Sequence, residues 1–364
     1  MTTWNYCTGV DNEPERGFPI RVPALDKARK PRTRPHMTNL ESADDAEITA
    51  RSPRRTTIDR GIKVAFGVAV LAFGVVFVVS RWGRLSSALA QAAPGWIVAA
   101  FLFAMVGQWA AVLGFRATLA ASSRWLPVVD VAEVFFVSQL GKYIPGSVWP
   151  IVAVTQMCRK YGIARRAAAI GGLLALLFSV LIGGLLGIVL VLVGASGGAA
   201  GLWWLALLVP LAFAALHPRV VVPTVDFSLR LARRPRVELD LTGATLRGAL
   251  GWPVVSWFFL GLQCWALVVA LGGPPLRSLA ASIGGFALAY AAGTLFVPAP
   301  AGAGVREAVL GLALVNVIGA SSSFDNEKVI VVVLLSRVLL AILDFAQAGV
   351  AVVVAHAMPV VPAK

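Results

Sequence analysis

The chain has 364 residues, of which 58% are hydrophobic and 14% are charged, and its formal net charge at pH 7 is +14. This composition is too apolar for a soluble domain and is typical of a membrane protein with several spans. The positive charge does not indicate a nucleic-acid partner, because most lysines and arginines lie in short segments between apolar runs, where they set topology. The three cysteines and three histidines are scattered, so we expect no metal site, no cofactor and no disulfide framework.

In chain order, residues 1–60 are polar and lack an apolar period, which predicts a disordered tail. An integral membrane domain is expected over 61–356, followed by a short cytoplasmic tail over 357–364. Uninterrupted apolar runs that are long enough to span a bilayer lie at 62–80, 95–115, 167–194, 199–216, 249–271 and 329–355. The predicted fold class is therefore an all-α polytopic membrane protein with about six full spans.

Two further apolar regions, 128–157 and 280–318, are interrupted by proline and glycine, which break helices. Broken backbone at membrane depth persists only where it is buried in protein or lines a wet cavity. The arms of the first region have about 16 and 11 residues, which is short against the roughly 20 that a helix needs to span. We therefore favour two re-entrant broken hairpins, with eight spans as the alternative if the hairpins span.

The distribution of basic residues predicts the topology. With the N-terminus inside, the inner segments hold 18 lysines and arginines and the outer segments hold four, which places both termini in the cytoplasm. The order span, span, broken hairpin, span then occurs in both 62–194 and 199–355, starting from opposite faces. This pattern predicts an inverted repeat of the kind that transporters use.

Ionisable residues within spans are costly unless they are paired or hydrated, so those beside the breaks are candidates for a binding site. Lys142 and Arg306 lie at the two breaks, where helix N-termini point donors at anions, and we expect both to bind a phosphate. In the last span, Arg337 and Asp344 share one helix face because they are two turns apart. They either handle a headgroup or form a structural ion pair with Glu307, Lys142 or Arg306. The predicted site comprises Lys142, Tyr143, Pro145, Gly146, Trp149, Arg306, Glu307, Arg337 and Asp344.

The same residues carry a resemblance to a family. The segment GKYIPGSVW (141–149) resembles the signature of the membrane region of lysylphosphatidylglycerol synthases and their stand-alone flippase-like relatives, and PAGAGVRE (300–307) is similar to the second motif of that family. The resemblance covers about residues 60–356. It implies a membrane region that moves a lipid across the bilayer. In two-part members, a soluble domain that aminoacylates phosphatidylglycerol follows; here the chain stops at Lys364, so we expect no aminoacylation.

These observations predict a flippase-like protein of the cytoplasmic membrane that translocates a phospholipid or polyprenyl-linked headgroup, with an anionic membrane lipid as substrate and no catalytic role. The first alternative is an accessory or regulatory subunit of an envelope lipid or glycan synthesis enzyme. The second is a polyprenyl-phosphate-dependent glycosyltransferase, which is disfavoured because loop 81–94 has no acidic residue and the largest inner loop, 217–247, is only about 31 residues long. The sequence leaves the oligomeric state open.

Overall fold

The computed structural model describes residues 92–143, 149–194, 207–231, 239–241, 243–296, 304–318 and 326–357, together with residues 83, 86, 90, 237, 302 and 324. The predicted tail 1–60 and the predicted span 62–80 lie outside the described residues. The same holds for the turn 144–148, which includes Pro145 and Gly146, and for the first part of the run 199–216.

The described residues form ten α-helices and no strand. These helices are α1 (Pro94–Ser122), α2 (Val128–Gln139), α3 (Trp149–Met157), α4 (Arg165–Gly194), α5 (Leu208–Leu216), α6 (Pro218–Leu231), α7 (Gly243–Ala270), α8 (Pro275–Leu295), α9 (Val305–Ile318) and α10 (Asn326–Ala357). Five of them, α1, α4, α7, α8 and α10, are long and apolar enough to cross a membrane. The prediction of an all-α polytopic membrane protein is confirmed.

The outward face of α1 shows why these helices suit a bilayer. Val98, Leu102 and Val106 follow one another at four-residue spacing and are all exposed. Residues four apart lie on the same face of a helix, so they form one continuous apolar stripe. Such a stripe is unfavourable in water but matches the acyl chains of a lipid bilayer.

Small residues allow the helices to approach closely in the interior. A Cβ atom on Gly187 of α4 would lie 2.9 Å from the carbonyl oxygen of Gly284 on α8, and one on Gly284 would lie 3.1 Å from the oxygen of Gly187. Between α1 and α7, a Cβ on Gly107 would lie 2.8 Å from Cγ of Leu260. These positions accept only glycine without a shift of the neighbouring helix, as is typical of helix contacts in membranes.

The helices of the two interrupted regions differ in length. In the first, α2 continues as a 3₁₀ turn (Leu140–Tyr143) and α3 has only 9 residues, so both arms are short for a full span. In the second, α8 has 21 residues and is long enough to cross, whereas α9 has 14. Helix length thus fits a re-entrant arm in the first region and a full crossing by α8 in the second. Re-entry of both hairpins stays a prediction.

Contacts between helices can be compared with the predicted repeat, in which α1 corresponds to α7, α2 to α8, and α4 to α10. The structure packs α1 along α7, α4 against α8, and α10 against α2. Exchange of the two halves maps the first contact onto itself and the other two onto each other. The pairing of the helices therefore fits a twofold repeat, and the inversion of the two halves stays a prediction.

Candidate functional site

A cavity of about 580 Å³ lies between these helices, and its lining comes from both halves of the chain. This volume is within the usual range for ligand sites in proteins. Most of the lining side chains are apolar. The described lining residues include five charged ones, which are Lys142, Arg306, Glu307, Arg337 and Asp344.

Asp344 of α10 is the centre of a first polar cluster in the cavity. Its carboxylate is almost fully buried, and Oδ2 lies 2.6 Å from Nζ of Lys142. The Tyr143 hydroxyl donates to the same oxygen at 2.6 Å, and Gln108 Nε2 of α1 donates to Oδ1 at 3.1 Å. A buried carboxylate needs such partners to remain charged. Asp344 therefore joins α10 to α1 and to the 3₁₀ turn at the break of the first interrupted region.

Glu307 forms the second cluster at the start of α9. Its Oε1 lies 2.7 Å from Nη1 of Arg337 on α10, and its Oε2 accepts a hydrogen bond of 2.7 Å from the backbone N–H of Gly304. A glutamate at the third helical position that reaches back in this way satisfies one of the open donors at a helix N-terminus. Glu307 thus caps α9 and at the same time joins the second broken region to α10.

Arg306 differs from the other charged residues of the cavity. Its guanidinium carbon lies 3.9 Å from the centre of the Tyr290 ring, a cation–π contact, and Nη2 donates to Oγ1 of Thr294 at 3.3 Å. Its Nε is buried without a hydrogen-bond partner. Within the described part of the chain, no carboxylate pairs with Arg306. It is thus the one charge of the described cavity lining that a counter-ion there does not balance.

Glycines explain how Arg306 fits beside α8. A Cβ atom on Gly293 would lie 2.4 Å from Cγ of Arg306, so this position must be glycine for the side chain to pass. Gly302 has a φ of +66°, and a Cβ atom there would lie 2.7 Å from the carbonyl oxygen of Gly293. The second break therefore needs glycine both for its backbone conformation and for its contact with α8.

The structure brings six of the nine predicted site residues to this cavity: Lys142, Tyr143, Arg306, Glu307, Arg337 and Asp344. Trp149 is not among the lining residues; it is the first residue of α3, and 44% of it is exposed. Pro145 and Gly146 lie outside the described residues. A lipid-binding role for all nine stays a prediction.

Lys142 does not lie at a helix N-terminus, contrary to the prediction. Lys142 lies in the 3₁₀ turn that continues the C-terminal end of α2, where exposed carbonyl groups do not attract anions. The donor-rich helix N-terminus applies to Arg306 alone, which is the second residue of α9. For Arg337 and Asp344, the structure shows the ion-pair alternative, with Glu307 and Lys142 as their respective partners.

Among the polar lining residues that sequence reasoning missed, three contact the charged residues of the cavity. Gln108 is a polar residue inside the apolar run 95–115, and this position was the available signal. Tyr290 and Thr294 are four residues apart, so they share the face of α8 that contacts Arg306. Neither hydroxyl carries a charge, so a search for ionisable groups within spans passes over both.

Comparison with known proteins agrees with the geometry. A search of the curated proteins finds no match. A family model described as the lysylphosphatidylglycerol synthase TM region matches residues 64–348, which include both broken segments and every charged residue of the cavity. The resemblance that the two segments indicate is thereby confirmed. The chain is a multi-pass integral membrane protein and belongs to the family of the lysylphosphatidylglycerol synthase TM region.

Proposed function

We propose that this protein translocates the headgroup of an anionic lipid, a phospholipid or a polyprenyl-linked lipid, through the cavity while the acyl chains stay in the bilayer. The observation that carries this proposal is Arg306, a cation without a carboxylate partner in the described lining of a cavity within a membrane protein. An unbalanced charge at membrane depth costs several kcal/mol. A phosphate group of the substrate supplies the missing counter-charge.

The other charged residues have a different part in the proposal. Lys142 and Arg337 each form an ion pair with a carboxylate, so these two residues add little net positive charge to the cavity. Lys142 and Tyr143 reach a headgroup only when it replaces Asp344 as their partner. Arg306 therefore makes the first contact with the phosphate, and Lys142 and Tyr143 contact it later in the passage.

The arrangement of the helices supports movement of a lipid, and the family is compatible with it. The family contains membrane regions related to lipid modification or lipid movement. The lining of the cavity comes from both halves of the chain, as alternating access in an inverted repeat requires. We place the protein in the cytoplasmic membrane with both termini in the cytoplasm, because the basic residues are concentrated in the segments assigned to that side.

Reconstituted vesicles test the proposal. We expect the wild-type chain to move a fluorescent phosphatidylglycerol between leaflets, measured as the fraction protected from dithionite. Arg306→Gln should lower the rate at least about tenfold, because a charge-assisted hydrogen bond contributes about 1.5–3 kcal/mol. Lys142→Ala should also slow transfer. Arg219→Gln removes the same charge from an exposed position on α6 and serves as the matched control.

Stability separates a functional role of Arg306 from a structural one. Arg306→Gln should leave the thermal midpoint close to that of the wild type, because removal of a buried charge without a carboxylate partner offsets the loss of its contacts with Tyr290 and Thr294. Transfer at the wild-type rate by the folded Arg306→Gln variant contradicts the mechanism. If the wild-type chain itself moves no lipid, the translocase proposal is wrong, and the accessory-subunit alternative takes its place.

A further inference from the structure

We infer that α6 is an in-plane anchor, a helix that lies along the cytoplasmic surface of the bilayer and binds the boundary between the headgroups and the acyl chains. The described lining of the cavity contains no residue of α6, so the inference is independent of the proposed function. Three observations carry it: the bend before α6, an exposed apolar side of the helix, and the position of its charged residues.

The bend turns α6 away from the direction of the preceding helix. α5 packs against the membrane-spanning helix α4 and has exposed apolar side chains at Leu208, Leu211 and Phe213, which suit the acyl chains of a bilayer. α6 follows after a bend of 71°, which turns it toward the plane of the membrane. With 14 residues, α6 is about 21 Å long, and the hydrocarbon core is roughly 30 Å thick. α6 is therefore too short to cross the bilayer as a helix of its own.

The apolar residues of α6 lie on two different sides of the helix. Val221 is 3% exposed and belongs to the hydrophobic core, and Val225, one turn further, packs against that core. Val220, Phe227 and Leu231 are 45%, 67% and 76% exposed. They are seven and four residues apart, so they form one apolar side that faces away from the protein. A side of this kind is unfavourable in water and suits an apolar partner.

The charged residues Asp226 and Arg230 lie on a third side of α6. They are four residues apart and share one face, which is about 100° from the exposed apolar side at 3.6 residues per turn. A helix that packs sideways on the protein can then direct its apolar side to the acyl chains while its charged side stays among headgroups and water. Aromatic and aliphatic residues on one side and charged residues on another are typical of helices at a membrane interface.

The lipid boundary is the occupant that fits the exposed side best. α6 continues from α5, whose exposed residues face the bilayer, so the apolar side of α6 begins where the lipid surface lies. The segment 217–247, which includes α6, is one of the basic segments that the positive-inside rule assigns to the cytoplasmic side. The anchor therefore lies in the cytoplasmic leaflet.

Fluorescence quenching in reconstituted vesicles tests the anchor on the full chain. Phe227→Cys and Leu231→Cys place a bimane label on the apolar side, and Arg230→Cys is the matched control on the charged side. Lipids that carry a nitroxide at the upper end of the acyl chain report contact with the boundary, and iodide reports contact with water. We expect the nitroxide to quench both apolar-side labels at least about twofold more than the control label, and iodide to show the opposite order.

Reference measurements set the background and the depth scale. The background chain carries Cys7→Ser and keeps Cys158 and Cys264, which are buried, and its own labelling is subtracted. Leu211→Cys on α5 marks a lipid-facing position within the preceding helix. Lipids with a nitroxide at the terminal end of the acyl chain should quench the label at Leu211 more than the labels on α6.

The unmodified chain gives a second measurement that needs no substitution. A carbene reagent dissolved in the lipid labels side chains that touch acyl chains, and mass spectrometry locates the modified residues. We expect label on Val220 and Phe227 and none on Val221, which is the same residue type on the buried side. This result decides the inference even where a cysteine variant does not fold.

Two results would overturn the anchor. If iodide quenches all three labels equally and the carbene leaves Val220 and Phe227 unmodified, the apolar side lies in water or against another protein, such as a second copy of this chain. If the terminal nitroxide quenches the label at Arg230 as strongly as the label at Leu211, α6 lies at the depth of a span. Selective quenching by the upper nitroxide at Phe227 and Leu231 supports the anchor.

Discussion

A double-mutant cycle on Lys142 and Asp344 measures how firmly the first broken hairpin is tied to α10. Asp344 is 96% buried at its side chain and Lys142 is 78% buried, since their side-chain exposures are 4% and 22%. Removal of one partner from a buried ion pair costs about 3–5 kcal/mol because the other charge is left unmatched. The partial exposure of Lys142 places our expectation at about 3 kcal/mol for each single variant, Lys142→Met and Asp344→Asn.

The double variant removes both charges, so neither charge is left buried without its partner. We therefore expect its loss of stability to be smaller than the sum of the two single losses by about 2 kcal/mol, within the range found for residues in contact. The free energy of unfolding is measured by SDS titration of the full chain in mixed micelles, with helix content as the signal. Lys142→Met combined with Glu133→Gln is the control, because Glu133 pairs with Lys160 and Tyr161 and shares no partner with Lys142.

Additive losses for Lys142→Met and Asp344→Asn would refute this reasoning. Such a result would mean that the ammonium and the carboxylate do not stabilise each other in the folded protein, and Lys142 would then be as available to a phosphate as Arg306. In the control combination, the losses should add within about 0.5 kcal/mol. A coupling there as large as in the test pair would indicate a general loss of structure in the hairpin rather than a specific ion pair.

Two further predictions concern the second break. Glu307→Gln keeps an acceptor for the N–H of Gly304 but breaks the ion pair with Arg337, so it should lower the unfolding free energy by about 1–3 kcal/mol. Glu307→Ala loses the helix cap as well and should cost about 1 kcal/mol more, and equal losses in the two variants would show that the cap is unimportant. Gly302→Ala should destabilise by at least about 1 kcal/mol, since its φ is +66° and its Cβ would meet Gly293. Gly349→Ala in α10 meets no atom within 4 Å and should be neutral or stabilising; similar thermal midpoints for both alanine variants would contradict this account.

The fold class could be predicted from the sequence because the bilayer imposes a strong constraint on length and composition. The runs 95–115, 167–194, 249–271 and 329–355 correspond to α1, α4, α7 and α10. Each helix is longer than its apolar run, because the backbone hydrogen bonds of the helix continue into the polar residues that end the run. The run 199–216 is described only from residue 207, so its prediction as one span stays a prediction; it ends with α5, and α6 follows after a bend of 71°. Pro218 starts the second helix there, and hydropathy alone does not register such a bend.

Much of the candidate site could also be predicted, because charged residues in apolar runs are few. Which cation is paired could not be predicted, since that depends on contacts between distant parts of the chain. Asp344 contacts Lys142 from 202 positions away, whereas Arg306 lies next to Glu307 in sequence but pairs with neither carboxylate of the described cavity lining. Their positions at the two breaks predicted the same role for Lys142 and Arg306. The three-dimensional pairing distinguishes them, because Lys142 has a carboxylate partner and Arg306 has none among the described lining residues.

Both ion pairs of the described cavity lining include a residue of α10, so the charged residues are distributed unequally between the two halves of the chain. Arg337 and Asp344 are seven residues apart on α10, about 10 Å along the axis, and each holds one of the two broken regions. In the predicted repeat, α4 is the helix that corresponds to α10, and it has no charged residue after Arg166. The charge pattern therefore does not follow the predicted repeat, because the charged residues of α10 pair with residues of the two interrupted regions. In the proposed function, Arg306 is the residue that first contacts the anion, because every other cation of the described lining already has a carboxylate partner.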